Sequence, residues 1–175
     1  DCDFSTSGDT VIHNEDIAYY EKYFQKEPVE KRGLDKALWV WDYPNYSKQY
    51  AVIMDVARGD GKDSSSAQVI NLDDFEQVAE YKGQMPPKEL GVFGVSLATE
   101  YNNAILIIEN NSYGWSSLQS AIELGYNKVY YSAKNNNEFS DSYFDPYADS
   151  SNKIAGFVTS SKTRPLVIAK FQEAV

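Results

Sequence analysis

Ala104–Ile108 reads AILII, five apolar residues with no polar break, followed at once by Glu109. A strand with one face in water alternates apolar and polar residues. An unbroken apolar run of this length belongs to a strand covered on both faces, near the middle of a sheet. Gln49–Val56 (QYAVIMDV) is a second, nearly continuous run, and it carries Asp55 near its end. A carboxylate closing a buried strand is poorly solvated unless a cation meets it. The two runs demand a sheet layered with helices, and each brings an acid to the sheet rim.

The rest of the pattern supplies the other elements. Arg58–Ser65 (RGDGKDSS) is turn chemistry, with two glycines and two aspartates. Ser66–Leu72 and Gln77–Gly83 read as two further strands joined across Asp73-Asp74, so three sequential strands form an antiparallel meander. Pro86-Pro87 opens a helix, and Leu90, Phe93, Leu97 and Tyr101 share one of its faces. After AILII come a turn at Asn110–Gly114, a helix over Trp115–Leu124 stopped by Gly125, and a fifth strand at Lys128–Tyr131. Lys134–Asn152, rich in Asn, Ser and Asp, reads as a long loop. Thr163–Ala174 reads as a helix with Thr163 or Ser161 as its cap and Pro165 in its first turn. The predicted fold is α/β: a mixed sheet, three antiparallel strands and then βαβ units, with helices on both faces.

Residues 1–48 read differently, as an N-terminal tail or linker ahead of a main domain at 49–175. They hold a polar opening, a helix over Asn14–Phe24 ended by Pro28, and an aromatic connector from Leu34 to Tyr46 with a short strand at Ala37–Trp41. The first residue is Asp1 rather than Met, which suggests a piece of a longer chain.

Charge and composition exclude several functions. The 26 acidic residues against 16 Lys plus Arg leave a net charge of −10, wrong for a domain that holds nucleic acid by bulk charge alone. A nucleic-acid enzyme survives this test, because acidic metal sites themselves lower the net charge. A single cysteine, Cys2, excludes an internal disulfide and a cysteine zinc site. A single histidine, His13, excludes a His-rich metal site. No run approaches the roughly 20 apolar residues that span a bilayer.

Asp55 and Glu109 are the leading candidates for chemistry. If the first and fourth strands are neighbours, their carboxylates converge, and such a pair repels unless it shares a proton or binds a metal. Only oxygen donors are on offer, so the matching ion is hard, Mg²⁺ or Mn²⁺. Two such ions about 4 Å apart would activate a water and stabilise the leaving oxygen in phosphodiester cleavage. Asp63, after the Gly-rich turn, is a further possible ligand. On spacing alone each acid is as readily a turn cap or an ion-pair partner. The RGDGKD turn is not a calcium loop, since Ala57 and Gly59 fall where oxygens are needed. It is not a phosphate loop either, since Lys62 is followed by Asp63. Arg58, Lys62 and Lys128 lie near predicted strand ends, as phosphate contacts or as ordinary surface charge. Asn110 and Asn111 follow Glu109, either to orient a metal-bound water or a DNA phosphate or simply to make a turn. Trp39, Trp41 and Trp115 read as packing residues, because duplex DNA hides its base faces.

IMDVARGDGKDSSSAQVINL and ILIIENNSYGWSSLQSAIELGY, in this order and spacing, resemble the nuclease domain of T4-type bacteriophage terminase large subunits. DCDFSTSGDTVI resembles the stretch that closes the ATPase region of those proteins, and SKTRPLVIAKFQEAV a later helix of the nuclease. The resemblance implies an RNase H/RuvC-like fold and a metal-dependent endonuclease that cuts concatemeric double-stranded viral DNA during packaging, with Mg²⁺ or Mn²⁺ in a two-metal site. It puts the family's first-strand Asp on Asp55, the Asp after the turn on Asp63 and the fourth-strand Glu on Glu109. The family's last carboxylate sits in an Asp-Asp-Leu-Val-type segment that this chain does not reach. The expectation is therefore a C-terminally truncated nuclease domain, with the missing last carboxylate as a reason for this fragment to be inactive. Partners implied through the parent protein are double-stranded DNA, the portal protein and the small terminase subunit, in the cytoplasm of an infected bacterial host and away from membranes. Two other readings stay open. One is a RuvC-like resolvase or transposase core, which the ATPase-like opening argues against. The other is a catalytically inactive module that docks the portal or another phage protein.

Overall fold

The meander stands at the centre of the sheet. The computed structural model describes residues 11–61, 63–133 and 153–174. In chain order its elements are α1 (Asn14–Tyr23), β1 (Glu30–Arg32), β2 (Leu38–Val40), β3 (Tyr50–Asp55), β4 (Ser65–Asn71), β5 (Gln77–Gly83), α2 (Pro87–Glu100), β6 (Ile105–Ile108), α3 (Gly114–Glu123), β7 (Tyr131–Ala133), β8 (Lys153–Ala155) and α4 (Thr163–Ala174). They fall into two compact units. One joins the described residues up to Glu27 with those from Ser160 onward, and the other is Pro28–Thr159.

The larger unit holds a six-stranded sheet in the order β1-β2-β5-β4-β3-β6. β3, β4 and β5 pair antiparallel as the meander, and β6 lies parallel to β3 on its open side. Beyond β6, Leu106 bridges Val129 in parallel, its amide donating to the Lys128 carbonyl and its carbonyl accepting from Tyr130, both at 2.9 Å. A three-strand meander continued by parallel strands on its first edge is the RNase H-like arrangement, and the mixed α/β sheet expected from the sequence is the one found. The sheet also reaches back into the segment read as a connector. β2 pairs β5 and β1 pairs β2, so residues from Pro28 onward belong to the unit that carries the sheet.

Burial alternates along the strands and defines two unlike faces. Val52, Met54, Ala67, Val69, Leu106 and Ile108 point to a dry side, where Leu90 and Leu97 of α2, Tyr101 just past its end and Leu118 of α3 close the core. Helix α2 reaches the sheet because Gly94 leaves room for the Met54 sulfur. It crosses α3 closely because a Cβ at Gly91 would collide with the Ser117 carbonyl. The Ser117 hydroxyl donates to the Pro87 carbonyl at 2.5 Å and ties the same crossing. The opposite face carries Ile53, 42% exposed, with Gln68, Glu80 and Lys82. Helices were expected on both faces; within this unit α2 and α3 share one, and the residues on the other stay partly open.

Other departures are local. Within Lys128–Tyr131, Val129 makes an isolated bridge to β6 and Tyr131 opens β7, which pairs antiparallel with an unforeseen β8. The loop expected over Lys134–Asn152 lies outside the described residues. Trp39 and Trp115 are 40% and 51% exposed rather than packed, and the Trp39 ring holds the Lys31 ammonium 3.7 Å from its centre. In the smaller unit α1 buries no residue. The cap of α4 is Ser160, not Thr163 or Ser161. The Thr163 amide donates to Ser160 Oγ at 3.1 Å and the Ser160 amide to Thr163 Oγ1 at 2.8 Å, a reciprocal box that satisfies two donors at once. Among the described residues no helix is long and apolar enough to cross a membrane.

Candidate metal centre

Register decides where the two acids go. β3 and β6 run parallel with Met54 opposite Ile108, and the Glu109 amide donates to the Met54 carbonyl at 3.0 Å. Asp55 and Glu109 are the next residues along each strand. Laterally paired residues of a sheet project to the same side, so both carboxylates leave the rim together, on the open face. The carboxyl of Glu109 is near enough to Asp55 to act on its protonation. Partial burial, then the neighbouring charge of Glu109, push the Asp55 carboxyl above its usual range, with a backbone amide at Val56 pulling weakly the other way. Ion pairs among the described residues join Arg32 to Glu100, Lys48 to Asp74 and Arg58 to Asp60; neither Asp55 nor Glu109 is in one. Two adjacent hard oxygen donors without a compensating cation suit a hard divalent ion, and these residues fit such a ligand.

The loop after β6 is built around Glu109. Asn111 Oδ1 accepts from the amides of Tyr113 at 3.0 Å and Gly114 at 2.7 Å, capping α3. Its amide nitrogen turns back to Glu109 Oε2 at 3.3 Å. Gly114 is obligatory here, because a Cβ would collide with the Glu109 carbonyl oxygen. On the other side Phe157 donates its amide to the Ile108 carbonyl at 2.8 Å, and the Asn110 amide donates to the Phe157 carbonyl at 2.7 Å. Glu109 is thereby held between an α3 cap and an edge segment. The sequence offered the Asn-Asn-Ser-Tyr-Gly turn as a signal for the first support. It offered none for the second, which depends on a partner far along the chain.

The remaining candidates divide. Asp63 is exposed in the turn before β4, and no group of three His, Cys, Asp or Glu able to hold a metal forms among the described residues. The turn is occupied with its own closure: Arg58 Nε pairs with Asp60 at 3.1 Å, and Gly59, with φ of 76°, packs tightly on the Met85 carbonyl. Asp63 is therefore not gathered with the pair, and Arg58 is not left free toward it. Asn110 donates its side chain to the Ala155 carbonyl at 2.8 Å and braces β8 rather than facing the acids. Lys128 lies beside the start of β6, at the opposite end of the sheet from Glu109. Lys62 lies outside the described residues.

Comparisons with solved structures agree with this architecture. The magnesium-bound large terminase nuclease of thermophilic phage G20c aligns with a TM-score of 0.59 at 15% identity, over 83% of this chain and 62% of that one. Its cobalt-bound form aligns with a TM-score of 0.58 at 16% identity, with the same coverages. At this identity the likeness is one of fold: the chain has the RNase H-like fold of phage large terminase nucleases and spans less than two thirds of their length. No family model and no curated protein matches the sequence.

Proposed function

We propose that the chain is the metal-dependent endonuclease domain of a phage DNA-packaging terminase large subunit of the T4 type, acting on concatemeric double-stranded viral DNA. The observation that carries this reading is the side-by-side placement of Asp55 and Glu109 at the rim of an RNase H-like sheet. Both carboxylates would hold Mg²⁺ or Mn²⁺, in two sites if the family pattern extends to this protein. A divalent ion bound there supplies Lewis-acid stabilisation of phosphate charge and an activated water. The chain's own part is positional. The parallel β3–β6 pairing sets the separation of the acids, Asn111 orients Glu109, and the open face gives a phosphodiester access to both. In the parent protein the portal and the small terminase subunit would deliver the DNA, in the host cytoplasm.

Nicking of supercoiled plasmid with Mg²⁺ or Mn²⁺ tests the reading. Cleavage that is lost in Asp55→Asn and in Glu109→Gln is the expected result. A folded protein that never nicks, and whose melting does not respond to Mn²⁺, would leave only the docking-module reading.

A further inference from the structure

The open face continues the row that begins at the acids. Asp55 is the registered partner of Ser66 on β4, and Ser66 is the registered partner of Lys82 on β5. Glu109, Asp55, Ser66 and Lys82 thus form one line across four neighbouring strands, all on the same side of the sheet. Lys82 is exposed, and its ammonium is in none of the ion pairs of the described residues. Its backbone is anchored from both sides, through the Ser66 pairing and through its amide, which donates to the Ala37 carbonyl at 3.1 Å. Two strand spacings, about 10 Å, separate its Cα from that of Asp55, and a lysine side chain covers much of that gap. Three other basic residues among the described ones are otherwise placed. Arg58 is paired with Asp60, Lys31 is seated on Trp39 and Lys128 is at the far end of the sheet.

We propose that Lys82 grips a backbone phosphate of the substrate strand next to the phosphodiester held at Asp55 and Glu109, so that the strand crosses the open face along this row. The inference rests on the nuclease reading and goes beyond it by naming the contact. In a chain of net charge −10, non-specific attraction to DNA is weak, and a cation within a Debye length of the acids offsets their repulsion of the phosphate next to them. A phosphate contact carries no base information, so Lys82 sets position and affinity, not sequence preference.

The test is binding of a fluorescein-labelled duplex oligonucleotide to the whole chain, by anisotropy, in Ca²⁺ and across a salt series. Lys82→Gln is expected to weaken binding roughly three- to tenfold at low salt and to reduce the salt slope by about one. Lys82→Arg should restore both, and Lys128→Gln should change neither. The Mn²⁺-induced rise in melting temperature should be the same in Lys82→Gln as in the unaltered chain, which separates a phosphate contact from damage to the acidic pair. Unaltered binding by Lys82→Gln, or an equal loss in Lys128→Gln, overturns the role of Lys82 while leaving the nuclease reading intact. No duplex binding by the unaltered chain, even at low salt, overturns both.

Discussion

The Glu109 amide donates to the Met54 carbonyl at 3.0 Å, and this bond sets Asp55 and Glu109 level with each other at the ends of two parallel strands. Neither carboxylate has a Lys or Arg partner among the described residues. Two like charges held together by backbone pairing are a source of stored repulsion, and the fold keeps them because the strands above them are buried and hydrogen-bonded.

Metal-free stability should reflect that repulsion. The Asp55 carboxyl is raised by burial and by Glu109, so the folded state binds its proton more tightly than the unfolded state does. A raised acid makes stability fall as pH increases from about 4 through the raised range, because ionisation is easier in the unfolded chain. Asp55→Asn removes the effect. In EDTA at neutral pH it should melt slightly higher than the unaltered chain, by less than about 1 kcal/mol since the group is largely solvent-screened. The gap should close below pH 4. A variant that melts lower at neutral pH refutes the repulsion.

Divalent ions should reverse that pH dependence. Binding to the native state alone stabilises by about 2.7 kcal/mol at a free ion concentration a hundredfold over Kd, or roughly 5–10 °C in a chain of this size. Ligands must be ionised, so the rise should shrink as pH falls into the carboxyl range. Scanning fluorimetry with Mn²⁺ at several pH values checks this, and Asp55→Asn and Glu109→Gln should both lose the response.

The strand that bears Asp55, the AILII strand and the two helices after the meander were legible because each has a local signature: an unbroken apolar run, a Pro-Pro start, a Gly stop. The pairing of β3 with β6 was legible only as a condition, since no local pattern states which strands become neighbours. β8 was not legible at all. Lys153 to Ala155 is only three residues long, and it becomes a strand by pairing with Tyr131–Ala133. Lys128 looked equivalent to Asp55 and Glu109 because sequence shows proximity to a strand end, not which end of the sheet that is. Asp63 does lie at the Asp55 end, just before β4, but in an exposed turn rather than on a paired strand. Lys82 was passed over for the complementary reason: its place in the Asp55 row exists only through two successive cross-strand pairings.

Asn111 serves α3 and Glu109 at once. Asn111→Ala removes the acceptor for the Tyr113 and Gly114 amides and should cost about 1 kcal/mol in urea unfolding. It also frees the Glu109 carboxylate. Mn²⁺ affinity should therefore fall, and it should fall likewise in Asn111→Ser, which keeps a capping oxygen and most of the stability but loses the amide donor. Equal Mn²⁺ affinity in Asn111→Ala and the unaltered chain would show that the amide contact does not orient Glu109.

Gly114 tests the same support from the backbone side. Its Cα faces the Glu109 carbonyl so closely that a Cβ has no room, and the atom in its way is backbone rather than a movable side-chain tip. Gly114→Ala must then push α3 away from the strand end or rotate the Glu109 peptide. Elsewhere in a helix this substitution stabilises by up to about 1 kcal/mol through propensity; here the overlap should outweigh it and leave a net loss of roughly 1–3 kcal/mol. The two responses available to the chain have different signatures. If α3 moves, the α2–α3 crossing at Gly91 and Ser117 loosens and stability falls while Mn²⁺ binding survives. If the Glu109 peptide turns, the carboxylate leaves Asp55 and Mn²⁺ binding falls with a smaller loss of stability. Turning the Glu109 peptide disturbs backbone bonds of one partly exposed loop, to Met54, Phe157 and Asn111, whereas moving α3 displaces buried Leu118 and Ala121 from the core, so the second outcome is the expected one. Paired urea and Mn²⁺ titrations of Gly114→Ala distinguish them, and a variant as stable as the unaltered chain with full Mn²⁺ affinity would refute the close approach itself.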